Sequence, residues 1–118
     1  MKYMLLIYQT EGVLDSTGMQ ACYVESAQLA QSLHAEGKYH AASPLHPVST
    51  AASVKVREGK ATVTDGPFAE TREQLGGYFL IEAESLDEAT AIAARIPGAK
   101  FGTVEVRPIL EVGGLPEM

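Results

Sequence analysis

ATVTDGPFAETREQLGGYFLIE, residues 61–82, is the stretch on which the fold turns. Ala61–Thr64 alternates small or apolar with polar residues, as a strand does, and stops at Asp65-Gly66-Pro67-Phe68. A mixed polar segment follows, and a new strand, Tyr78–Ala83, is expected after Gly76-Gly77. The break sets a carboxylate at a strand end, with glycine and a φ-locking proline behind it, which holds Asp65 at the rim of a sheet. Rigid placement of that kind suits a functional site. The plainer reading is a turn aspartate whose side chain accepts nearby amides.

Just upstream, Ser53–Arg57 and Lys60–Thr64 alternate on either side of Glu58-Gly59, a two-residue connection of the kind that closes a tight hairpin. Further out, Lys2–Tyr8 reads as a first strand and Tyr39–Ala42 as a second, followed by the proline-punctuated loop Ser43–Pro47. Between them, Met19, Cys22, Tyr23, Ala27, Ala30 and Leu33 recur at helical spacing over about Met19–Glu36, and Gly37 stands where a left-handed terminator belongs. Ser85-Leu86-Asp87-Glu88 has the pattern of a capping box, with Leu86, Ala89, Ile92, Ala93 and Ile96 as the apolar stripe of a second helix that ends at Pro97-Gly98. Thr103–Ile109 is the last strand, and the Gly-Gly tail after it is expected to be loosely held or to pack on a partner.

Strand, helix, strand, hairpin, strand, helix, strand is the order of a split βαβ domain, an α+β fold with two helices on one face of an antiparallel sheet. Tyr3, Leu5 and Ile7 then share one face of the first strand, and Met4, Leu6 and Tyr8 the other. Phe79 and Ile81 lie opposite Tyr78 and Leu80 in the same way. A sheet wetted on one side would put polar residues there. Two apolar faces instead call for a cover, and a second copy packed sheet to sheet supplies one.

The 118 residues are the size of one domain, and 46% hydrophobic with 20% charged residues makes a globular chain. A formal net charge of −6 without a basic cluster argues against nucleic acid as a partner. Cys22 is the only cysteine, which excludes an internal disulfide and fits a reducing, cytoplasmic setting; its plain reading is a small buried hydrophobe. The apolar start Met4–Tyr8 is too short to span a bilayer, so no membrane anchor is expected.

Residues Asp65–Tyr78, DGPFAETREQLGGY, resemble the signature of the YCII-related proteins, in the branch called DGPF-domain proteins. Lys2–Tyr8, Pro44–Pro47, Ile96-Pro97 and Gly102–Pro108 extend the resemblance over essentially the whole chain, while Asp15–Gly18 lacks the branch's usual proline and acidic pair. The resemblance implies a single domain over residues 1–118 with a ferredoxin-like dimeric α+β barrel fold and an inserted hairpin. It implies no assigned activity. Chemistry around a His and an Asp in a cleft is suspected for the group, and some members are linked to extracytoplasmic sigma factors.

Two functional classes follow. In the first, the chain is an enzyme acting on a small phenolic or carbonyl-bearing molecule, with His46 and Asp65 as a catalytic pair for lyase- or isomerase-type proton transfer. His46 sits between Pro44 and Pro47, and the out-and-back hairpin returns the chain toward Asp65, so the two side chains are expected to meet. Glu70 and Arg72, in the loop after Asp65, are the substrate-binding candidates: a second acid–base group and an anion anchor. In the second class, the dimer binds a small ligand or protein partner without catalysis, and the acidic residues only fix the loop. No cofactor is expected, and His46, Asp65 and Glu70 lack a recognised metal-ligand spacing. His34 and His40 have no motif around them, and Arg107 beside Glu105 reads as a cross-strand ion pair.

Overall fold

Eight residues from Lys2 to Gln9 form the first strand, β1, and the reason is visible in its two partners. It lies between β5 (Gln74–Glu82) and β6 (Gly102–Pro108), antiparallel to both, and β2 (Tyr39–Pro44) adds to the far side of β5. The sheet order is β2-β5-β1-β6, which is the split βαβ arrangement. The computed structural model describes residues 1–117. Helix α1 (Ser16–Ala35) and helix α2 (Leu86–Ala93) cover one face of the sheet. Between them and the sheet, Tyr3, Leu5, Phe79 and Ile81 pack with Leu29, Leu33, Ala89, Ile92 and Ile96. Each large side chain buried there stabilises the fold by about 1.5–3 kcal/mol.

The local signals act as their chemistry requires. Glu58 (φ 51°) and Gly59 (φ 77°) both take left-handed backbone in the turn joining β3 (Ala52–Arg57) to β4 (Lys60–Asp65). Gly37 ends α1 with φ 75°. Two boundaries and one cap differ from expectation. Helix α1 begins at Ser16 because the Asp15 side chain caps it, accepting the Gly18 amide at 2.8 Å. Strand β5 begins at Gln74, before the two glycines, because Leu75 and Gly77 already pair with Tyr8 and Ile7. Ser85 caps α2 through the Glu88 amide at 3.1 Å, but the Glu88 carboxylate turns to Lys38 at 3.4 Å rather than closing a reciprocal box.

The other face of the sheet carries Met4, Leu6, Tyr8, Tyr78 and Leu80, with Arg107 and Glu105 of β6 beside Met4 and Leu6; Leu80 is buried and the other four apolar residues are half-buried. With extents of 46 × 43 × 20 Å, the molecule is one helix layer on one sheet layer. Its radius of gyration is 15.9 Å, against roughly 13.5 Å for a compact chain of this length. Part of the excess is the β3–β4 hairpin, a separate two-stranded sheet. Val54 and Val63 face each other across it and are 63% and 64% exposed.

Candidate active site

The site is built where β1, β2 and β5 end. Beyond β2, the chain runs Leu45-His46-Pro47 into a 3-10 turn, Val48–Thr50. Four hydrogen bonds pin this short segment. The Leu45 amide donates to the Gly76 carbonyl at 2.8 Å, and the Val48 amide donates to Glu11 Oε2 at 2.9 Å. The Thr50 amide and hydroxyl both donate to the Pro47 carbonyl, at 2.9 and 2.6 Å. His46 is thus carried on a backbone tied to β5 on one side and to the loop after β1 on the other.

His46 borders a cavity of about 360 Å³ whose walls include Gln9, Glu11, Tyr23 and Gln74. Gln9, Met19, Tyr23 and Gly76 also wall a second cavity of about 300 Å³, which runs beneath α1. The two spaces therefore adjoin, one bordered by His46 and Glu11 and the other, beneath α1, walled by apolar and uncharged polar residues. Here the helical stripe read from the sequence has an unexpected destination. Met19, Cys22, Tyr23, Ala27 and Ala30 line the inner cavity, while the fully packed residues of α1 are Leu29 and Leu33. Cys22 is half-buried in that wall.

Asp65 is the last residue of β4, opposite Ala52. Gly66 then takes φ 100°, a left-handed conformation that glycine adopts without strain, and its amide donates to the Ala51 carbonyl at 2.7 Å. The Ser53 hydroxyl also donates to the Gly66 carbonyl, at 2.9 Å. Those bonds close the base of the hairpin and explain why the sheet breaks at Asp-Gly-Pro. They also bring the chain back to Ala51, five positions after His46. The side chains, however, do not meet: among the described residues no hydrogen bond or ion pair joins His46 to Asp65 within one chain. Nor does the Asp65 carboxylate accept an amide as a turn aspartate would; it is exposed.

Arg72 and Glu70 lie in the loop between β4 and β5 with exposed side chains. The Arg72 carbonyl accepts the Thr10 hydroxyl at 3.2 Å, so the end of this loop is fastened to a residue of the His46 cavity. Glu73 accepts the Thr103 hydroxyl at 2.9 Å and ties the same loop to β6. Sequence reasoning missed Glu11, whose only local signal is a carboxylate in a glycine-containing loop. Its role comes from a partner 37 positions away.

The fold and these residues can be set beside known proteins. The YCII-related domain matches residues 1–113. The chain belongs to the YCII-related family. An uncharacterized protein of Rhizobium meliloti (strain 1021) is 37% identical, over 92% of both chains. In overall shape the chain resembles 5-chloro-2-hydroxyhydroquinone dehydrochlorinase from Burkholderia phenoliruptrix AC1100, solved in complex with 2,5-dihydroxybenzoquinone. The TM-score is 0.55 at 17% identity, over 95% of this chain and 96% of that one, and supports a common α+β fold. Among the described residues no helix is long and apolar enough to cross a membrane.

Proposed function

We propose that this YCII-related protein is a small-molecule enzyme that moves a proton without a bound cofactor, in a lyase- or isomerase-type step on a phenolic or carbonyl-bearing substrate. The observation that carries the reading is the position of His46, an imidazole on a pinned segment at the mouth of a cavity deep enough for a small ring. Its likeness in fold to a dehydrochlorinase agrees with chemistry of this class. In this reading His46 is the acid–base group. Asp65 is proposed as its carboxylate partner, acting from the hairpin base, and the open geometry of the single chain is one that substrate and a second subunit complete. Glu70 and Arg72 are proposed to meet the polar edge of the substrate from the loop fastened at Thr10. The working form is proposed to be a cytoplasmic homodimer, which the apolar residues on the second sheet face and the single cysteine support.

The test is turnover: chloride release from chlorinated hydroquinones, and hydrogen–deuterium exchange at carbons next to the carbonyl of cyclic ketones. His46→Ala is expected to lower the active reaction by about 100-fold or more while the protein stays folded. Asp65→Asn, which keeps the shape but not the charge, is expected to lower turnover without lowering Tm, because the carboxylate holds no structural bond. Equal rates for His46→Ala and the unmodified protein would overturn the proposal.

A further inference from the structure

The cavity beneath α1 differs from the adjoining one at His46 in one respect that selects a ligand. Ile7, Phe79, Ile96, Ala30 and Ala42 supply apolar wall, Ser26, Ser43 and tyrosines supply uncharged polar groups, and among the described residues no Asp, Glu, Lys, Arg or His side chain lines it. An ion placed there would lose hydration with no opposite charge to replace it, at a cost of several kcal/mol or more. The space, about 300 Å³, exceeds the ~150 Å³ that suffices for benzene in a dry apolar cavity. Resting on the acid–base reading above, we infer that the substrate is a neutral aromatic or cyclic compound. Its ring fills the chamber beneath α1, and its polar edge points out toward Gln9 and His46.

Cys22 makes the inference measurable, because it is the only cysteine and stands in the chamber wall. The rate at which a thiol reagent modifies the native protein therefore reports whether the chamber is filled. The matched probes are para-cresol, which is neutral, and para-hydroxybenzoate, which carries a carboxylate. At about ten times its Kd, para-cresol is expected to slow modification about ten-fold, and para-hydroxybenzoate to leave it unchanged. Ala27→Phe, a substitution at an exposed helix position on the chamber rim, is expected to abolish the protection with the circular dichroism unaltered. Equal protection by both probes, or none by para-cresol, overturns the neutral chamber. The proton resonances of the His46 ring separate this from the underlying reading. If para-cresol shifts them without protecting Cys22, the chamber inference falls and the acid–base reading stands. Protection of Cys22 with an unmoved His46 signal supports the chamber and removes the reading on which a reaction there was built.

Discussion

Gly77 of β5 pairs with Pro44 of β2 so closely that a Cβ on it would stand 3.0 Å from the Ser43 carbonyl oxygen and 3.2 Å from Pro44 Cα. Those are backbone atoms, which cannot turn aside as a side chain does. Gly76, one residue earlier, has its nearest neighbour at 3.7 Å, the tip of the flexible Gln9 side chain. Gly77→Ala is therefore expected to cost roughly 1–3 kcal/mol, a drop of several degrees in Tm, while Gly76→Ala is tolerated. Parallel thermal melts of the two variants check the difference, and equal melts would refute the close-packing account.

Glu11 acts at the site through the backbone it holds. Removing its carboxylate leaves the Val48 amide to water, whereas glutamine still offers an oxygen to it. Glu11→Ala is expected to destabilise by about 0.5–1.5 kcal/mol and to speed exchange of the Val48 amide, with Glu11→Gln close to the unmodified protein. Hydrogen exchange followed by NMR reads this residue by residue; an unchanged Val48 rate in Glu11→Ala would rule the clamp out.

Assembly is tested at Leu6, half-buried on the second sheet face between Tyr78 of β5 and Glu105 of β6. Because it is outside the core beneath the helices, a charge there is expected to spare the protomer and disfavour sheet-to-sheet pairing. The unmodified chain should scatter light as a dimer at micromolar concentration, and Leu6→Asp as a folded monomer. A monomer in both cases would remove the proposed interface.

Acid should weaken the fold at Glu82. Its carboxylate bonds the N-terminal ammonium and takes His40 Nε2 at 2.9 Å, and these contacts, the ammonium first, hold its pKa below the ordinary 4.5. A carboxyl whose pKa is depressed by folding contributes stability above its unfolded pKa, and that stability is lost as pH falls through the folded value. Glu82→Gln should thus melt below the unmodified protein near neutral pH, and the gap should close once the pH is well under 4.5. A gap that stays constant in acid would point to packing rather than charge.

Much of the architecture was legible in the residues because the signals are local. Two successive left-handed residues at Glu58-Gly59 specify the hairpin turn, alternation assigns each strand residue to a face, and Ser85 caps its own helix. The candidate site was legible only in part. His46 reads as a histidine on a proline-bounded loop, and Asp65 as a carboxylate at a strand end. Their expected contact rested on where two loops go, and that is decided by bonds such as Leu45 to Gly76 and Gly66 to Ala51, between residues far apart in the chain.

What the sequence by itself determined is therefore the order of elements, the two apolar faces of the sheet and the break at Asp65-Gly66-Pro67, since each follows from side-chain period or backbone freedom within a few residues. Tertiary structure alone decided that Glu11 reaches Val48 and that the stripe from Met19 to Ala30 borders a chamber, with Leu29 taking a place in the core. Helical spacing states which side chains share a face; whether that face meets other side chains or leaves a cavity depends on how far the sheet lies beneath it. Here Gly76, Gly77 and Gly98 border the cavity and contribute no side chains to fill it.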